Sequence, residues 1–349
     1  MPPGPGGFSE SSSESWSKER EDLLHKTIKE LGLKLEGTYL QTIVDRLYAE
    51  LDTAGIKFKP KVYLSDEWSC PDGVPIIGIP FYLADRKLSR IEEEIMDGIE
   101  AGTEEEILSY LRHEAGHVFN YAYKLYETEE WHSLFGPYSR PYQDEYTPKP
   151  FSRDFVRHIS GWYAQKHPDE DFAETFAVWL KPESGWREVY RDWGCYRKLL
   201  YVENVVQQLG PTDPPVTGAD YDLAREELAY SVAEHYQKTA PKLVDVPAYF
   251  DGDLRDIFES RAPKGKEGEW EAASGFLSRH RRDIVRKIAY WTGLYDVMVR
   301  SLITHLIERT KALGLWVDPK RDAEVLANVI SFATTLCMNK LYKGDFIIK

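Results

Sequence analysis

Residues 110–123 read YLRHEAGHVFNYAY, with His113 and His117 four apart and Glu114 directly after the first. On an α-helix that spacing is one turn, so both imidazoles reach one ion at about 2.0–2.1 Å from each nitrogen. Glu114 sits where it can touch a metal-bound water without binding the metal. Zinc brings the pKa of such a water to about 7, and a carboxylate takes its proton as it attacks a carbonyl. With Leu111 at zero on a helical wheel, Ile107, Leu108, Ala115, Val118, Phe119 and Ala122 form an apolar stripe; the histidines fall at about 200° and 240° and Glu114 at about 300°. The pair is off the stripe, which argues against two core histidines and leaves a metal site or a solvated polar face. Gly116, at about 1 kcal/mol relative to Ala in mid-helix, serves close approach by another segment or simple packing.

A catalytic zinc wants three protein ligands and a water. The stretch WYAQKHPDEDFAETFAVWLKP at 162–182 offers the third. Pro168 suits a first helical turn, Asp169, Glu170 and Asp171 suit its positive end, and Pro182 stops it. Glu170 and Glu174 are one turn apart on one face, while Phe172, Phe176 and Trp179 form a hydrophobic row elsewhere. Like charges at i,i+4 in an aromatic surround want a cation or a protonated partner. One Glu would bind the metal and the other would hold a ligand histidine by its second ring nitrogen; the alternative is a solvated acidic face. His158, Tyr142 and Tyr146 are weaker oxyanion donors, His167 reads as a cap or surface group, and His25, His132, His235, His280 and His305 read as structural.

HEAGH, followed later by YAQKHPDEDFAETFAVWL, resembles the zinc-dependent gluzincin peptidases. It is most similar to bacterial zinc-binding metallopeptidases marked by EDFAETFA, and it also resembles the catalytic domain of anthrax lethal factor. The resemblance covers roughly residues 105–205. It implies His113 and His117 as zinc ligands, Glu114 as general base, Glu170 as third ligand and Glu174 in the outer position. Tyr163, seven before Glu170, then stabilises the oxyanion. The thermolysin-like pattern has ExxxD where Glu170 and Glu174 stand, so either Glu can be the ligand, with Glu170 the expectation. The implied activity is peptide hydrolysis on a peptide or protein substrate. Two other readings remain. Glu114-x-x-His117 is also the ExxH unit of di-iron helical bundles, with Glu129-x-x-His132 the only second instance. A gluzincin fold used only for binding would be marked by loss of Glu114, which is present.

The elements that must position these groups are mostly helical. Thr103 with Glu106 forms a capping box ahead of a helix reaching roughly Tyr126. IKFKPKVYLS and VPIIGIPFYLA read as strands of a small sheet, the second at an edge because of its prolines; IIGIPFYL at 76–83 would pair with an extended substrate. Helical periodicity runs over 21–55, returns at Ile91, and continues through DFVRHISGWYAQ, PDEDFAETFAVWLK and GWREVYRDWGCYRKLLYVENVVQQL. Residues 135–153 are a turn-rich, aromatic loop of functional length. The expected fold is α+β, mostly α: a disordered tail over 1–20, a zincin-like domain over 21–210 with a small sheet and an active-site helix, a linker at 210–218, and a helical domain over 219–349.

The chain has 349 residues, 44 Lys and Arg against 58 Asp and Glu, and a net charge of −14. So acidic a chain without a long basic run speaks against nucleic acid and anionic lipid as partners. Three widely spaced cysteines, Cys70, Cys195 and Cys337, speak against a disulfide framework or a cysteine zinc ribbon. With neither a secretory signal nor a membrane-length apolar run, the expected location is cytoplasmic. Oligomeric state is not legible.

Overall fold

The computed structural model describes residues 10–96, 98–143, 146–218, 229–239, 250–265 and 268–346. In chain order the regular elements are α1 (Glu10–His25), α2 (Tyr39–Thr53), β1 (Lys61–Ser65), β2 (Ile76–Pro80), α3 (Arg86–Ile95), α4 (Glu104–Ala122), α5 (Glu129–Phe135), α6 (Pro168–Leu180), α7 (Trp186–Val189), α8 (Tyr196–Leu209), α9 (Val232–Thr239), α10 (Asp251–Ile257), β3 (Glu271–Ala272), α11 (Ala273–Thr292), α12 (Asp296–Leu313), β4 (Trp316–Val317) and α13 (Asp322–Lys343). The fold is α+β and mostly α, as the periodicity implies. The chain divides into two compact units, one of Met1–Leu134, Trp179–Ser184 and Lys198–Ala240, the other of Phe135–Val178, Gly185–Arg197 and Pro241–Lys349.

In the first unit α4 starts where its cap predicts. Thr103 accepts the Glu106 amide and Glu106 returns a bond to the Thr103 amide. It ends at Ala122, short of Tyr126, because Lys124 turns left-handed at φ 54°. The helix packs on α2 and β2. Arg112 projects from it to meet Glu50 of α2 in a two-pronged pair, Nε–Oε2 2.7 Å and Nη2–Oε1 2.6 Å. The Arg112 side chain is 3% exposed and that of Glu50 12%, so the charges depend on each other rather than on water.

β1 and β2 pair in parallel, Lys61 opposite Ile76 and Ser65 opposite Pro80. The backbone N–H and C=O of Gly78 both bond to Ser69, in the loop between the strands, at 2.7 and 3.3 Å. A Cβ on Gly78 would stand 2.5 Å from Ser69 Oγ and 2.9 Å from Ser65 Cβ, so this crossing needs glycine. β2 is buried at all five positions. The expectation that 76–83 offers a free edge to substrate is therefore corrected. β1 lies on one side and Ser69 on the other at Gly78, and Phe81–Ala84 curl into a 3-10 turn.

α1 occupies much of the expected tail; residues 1–9 lie outside the described residues. Trp16 of α1 donates to Glu94 at 3.0 Å, and the Arg90 guanidinium lies 4.0 Å from its ring centre. α3 begins five residues before Ile91, because Asp85 caps it through the Lys87 and Leu88 amides. The stretch expected as a linker is tied down here: Gly210 accepts from the Lys57 amide, Thr212 from the Tyr123 hydroxyl, and the Val216 amide reaches Ala122. Ser231 bridges Thr27.

The core of the second unit comes from α10 to α13, with Phe250, Phe276, Leu302, Ile303 and Phe346 among its fully buried side chains. The helix expected over DFVRHISGWYAQ is absent apart from a 3-10 turn at Tyr163–Gln165. Gly161 and Trp162 are both left-handed, φ 83° and 50°, which a helix does not accommodate. Trp162 instead donates its Nε1–H to the Tyr290 carbonyl at 3.0 Å. Gly293 lies against its ring, where a Cβ would stand 2.7 Å from Cε3. The Gly161–Trp162 turn is thus bedded on the C-terminal helices.

Glu50→Ala leaves Arg112 buried and unpaired, and we expect a loss of about 3–5 kcal/mol in urea unfolding. Glu105→Ala, which breaks an exposed pair with Arg46, should lose under about 1 kcal/mol. Equal losses would show that the buried pair has no special weight.

Candidate metal centre

Every residue of α4 from Leu111 to Ala122 is buried, on both faces. The exposures of His113, Glu114 and His117 are 3%, 5% and 7%. The solvated polar face left open by the wheel is thereby excluded. A buried imidazole or carboxylate needs a partner, because burial without one costs several kcal/mol.

The one-turn spacing works as expected. The Nε2 atoms of His113 and His117 are 3.1 Å apart, and the rings meet at 75° with centroids 4.8 Å apart. Two nitrogen ligands on tetrahedral zinc stand about 3.3 Å apart when each bond is about 2.05 Å. The same separation suits an N–H···N hydrogen bond in the metal-free protein. Tyr121 stacks on His117 at 6.0 Å and fixes its plane from one turn further on.

α6 is buried along almost its whole length, so the second solvated reading falls as well. Asp169, Glu170, Asp171 and Glu174 are 7%, 5%, 1% and 0% exposed. Phe172 and Phe176 are fully buried, and Phe135 meets Phe172 edge-on. His167 caps the helix: its Nδ1 accepts the Asp169 amide at 3.2 Å. Nε2 lies 2.7 Å from the Arg140 carbonyl, and since Nδ1 is an acceptor, Nε2 carries the proton and donates.

His113, His117 and Glu170 each bring one ligand atom to a common place, the three atoms within 4.8 Å of one another and all three residues buried. Two imidazole nitrogens and a carboxylate oxygen form the donor set of a catalytic zinc site. Glu174 is outside this group, and one of its oxygens accepts the Ile159 amide at 2.9 Å. Glu129 and His132, the second ExxH of the di-iron reading, are exposed, and His132 Nε2 bonds the Tyr126 carbonyl at 2.6 Å.

The tyrosines are ordered differently from their sequence ranking. Tyr142, from the loop, donates to Glu170 Oε1 at 2.6 Å. Tyr163 stands one step out, its hydroxyl 3.2 Å from that of Tyr142, and Lys166 Nζ lies 3.5 Å from the Tyr163 oxygen. The Lys166 ammonium also sits 4.4 Å from the Tyr142 ring centre and 5.1 Å from that of Tyr163. Burial of its hydroxyl, and then the Glu170 carboxylate, push the Tyr142 pKa well up, so the phenol keeps its proton. Burial does the same for Tyr146, which donates to the Gly161 carbonyl and meets Tyr295 edge-on. His158 is half-buried and outside the ligand group. Lys166 was not singled out from the sequence; its i,i+3 spacing from Tyr163 was the available signal.

Comparison with curated proteins and with solved structures returned no match, so the likeness to anthrax lethal factor rests on the motif residues alone. No helix among the described residues is long and apolar enough to cross a membrane. Residues 102–186 match the model of a family described as "putative zinc-binding metallo-peptidase", and that stretch contains His113, Glu114, His117, Tyr163, Glu170 and Glu174.

Proposed function

We propose that this chain is a zinc-dependent peptidase that holds its metal through His113, His117 and Glu170. The observation that carries the proposal is the buried group of two imidazoles one turn apart and a carboxylate from a second helix. The family match over 102–186 supports the same metal and the same class of reaction.

A zinc ion held there would supply Lewis acidity, polarising the scissile carbonyl and acidifying the attacking water. Glu114, next to His113 and 5% exposed, is the base that takes the proton of that water and passes it to the leaving amine. The low exposure of the site keeps the carboxylate from competing solvent and strengthens each charge interaction. The hydroxyl of Tyr163, the tyrosine of the motif, is the donor to the oxygen that gains charge. Glu174, one turn after Glu170 and anchored by the Ile159 amide, holds the middle of α6 in place. Substrate is a peptide or a protein segment, seated elsewhere than along β2.

The test compares the full chain with Glu114→Gln. We expect about one zinc per chain in both, and cleavage of a peptide library lowered by at least about 100-fold in the variant. His117→Ala should lose the metal itself. Equal cleavage by wild type and Glu114→Gln would overturn the assignment of the base, and about two irons per chain with oxidase activity would overturn the peptidase reading.

Chelation gives a second expectation. Dialysis against a chelator should abolish cleavage, and one equivalent of zinc should restore it. Imidazole and carboxylate ligands bind only when deprotonated, so zinc affinity should also fall as pH is lowered. Cleavage that survives full chelation would remove the metal from the reaction.

A further inference from the structure

We infer that Tyr142 is the positioning residue of the metal centre: its hydroxyl holds one oxygen of Glu170 so that the other is presented to the ion, and Tyr163 and Lys166 hold Tyr142. The inference rests on the metal-binding part of the proposed function. It gives the hydroxyl of Tyr142 a task different from donating to an oxyanion.

The donor directions follow from chemistry alone. An ammonium only donates and an ionised carboxylate only accepts. Glu170 Oε1 therefore receives the Tyr142 proton at 2.6 Å, a short charge-assisted bond. Tyr142 has one proton, so at its 3.2 Å contact with Tyr163 it must accept, and Tyr163 donates. The Tyr163 oxygen then faces Lys166 Nζ as an acceptor, at the longer 3.5 Å. The result is a one-way chain from a cation through two phenols to a carboxylate, in which each bond polarises the next.

Two consequences separate this arrangement from ordinary packing. A carboxylate with one oxygen already bonded to a phenol offers the other singly, as a three-ligand zinc site with an open place requires. The proton of Tyr163 is committed to Tyr142, so Tyr163 can reach an oxyanion only if the chain opens. The arrangement also places the control of a helix-borne ligand in a loop: Tyr142 is 52% exposed, so its ring adds little to the core. Removing its hydroxyl should disturb Glu170 far more than the fold.

The experiment measures zinc affinity by competition with a chromogenic chelator, using the full chain and its Tyr142→Phe and Tyr163→Phe variants. Tyr142→Phe should weaken zinc about 10–100-fold, with an unchanged melting temperature of the metal-free protein. Tyr163→Phe should weaken it less, in the same direction. Cobalt substitution gives a second readout, since freeing the second carboxylate oxygen should shift the visible absorption of the Tyr142→Phe protein. At saturating zinc, Tyr142→Phe should recover most peptide cleavage. Wild-type zinc affinity in Tyr142→Phe, with cleavage lost at saturating zinc, would overturn the inference and make Tyr142 an oxyanion donor. Tight zinc in wild type, weak zinc in Tyr142→Phe and no cleavage by either would leave the inference standing and remove the peptidase reading. No zinc binding by wild type would remove both.

Discussion

Burial of ionisable side chains is the constraint from which the rest of this structure follows. On α4 the imidazoles of His113 and His117 and the carboxylate of Glu114 are nearly closed off from water, and on α6 four carboxylates are. Several kcal/mol for each unpaired ion would together exceed the whole stability of an ordinary domain, about 5–15 kcal/mol. Such groups persist only where each has a partner. The structure supplies several of them: Arg112 to Glu50, the Ile159 amide to Glu174, Tyr142 to Glu170, and the two imidazoles to each other. A divalent cation among His113, His117 and Glu170 would complete that series, since it is the one partner that satisfies two imidazoles and a carboxylate at once.

Much of the buried group of His113, His117 and Glu170 was legible because it is local. HExxH places two rings on one helical face whatever surrounds the helix, and the Thr103–Glu106 capping box fixes where that helix begins. Pro168 at a first turn and Pro182 beyond the last bracket α6 in the same way. The i,i+4 pair of glutamates suggested a ligand and an outer-shell residue, and the group formed with Glu170. These features need only the period of the helix and the chemistry of its ends.

What stayed hidden depends on contacts remote in the chain. A helical wheel separates polar from apolar but cannot tell water from a buried partner, so the face of α4 carrying the histidines could be read as solvated. Prolines flanking an apolar run suggested an edge strand; the loop residue Ser69 returns to Gly78 and closes it. The polar run at the N-terminus looked disordered, and α1 is held by Trp16 against Glu94 and Arg90, more than seventy residues on. DFVRHISGWYAQ has helical periodicity, yet Trp162 takes a left-handed backbone to reach the Tyr290 carbonyl. In each case tertiary contact overrides local preference.

The two kinds of element divide the work of the site. The two histidines stand on one helix whose start is fixed by its cap, so their spacing cannot drift without unfolding a turn. The hydroxyl that touches Glu170 comes from a loop, and the one behind it from a 3-10 turn, where changes in sequence are tolerated most readily. Both are tied down: Tyr146 of the loop meets Tyr295 in the segment leading into α12, and Trp162, ahead of the 3-10 turn, bonds to Tyr290 of α11. Gly293 is pressed against the Trp162 ring where no side chain would fit. The C-terminal helices therefore bear on the placement of these side chains. Changes in their packing would reach Tyr142 and Tyr163 first, and through the Tyr142 hydroxyl the carboxylate of Glu170.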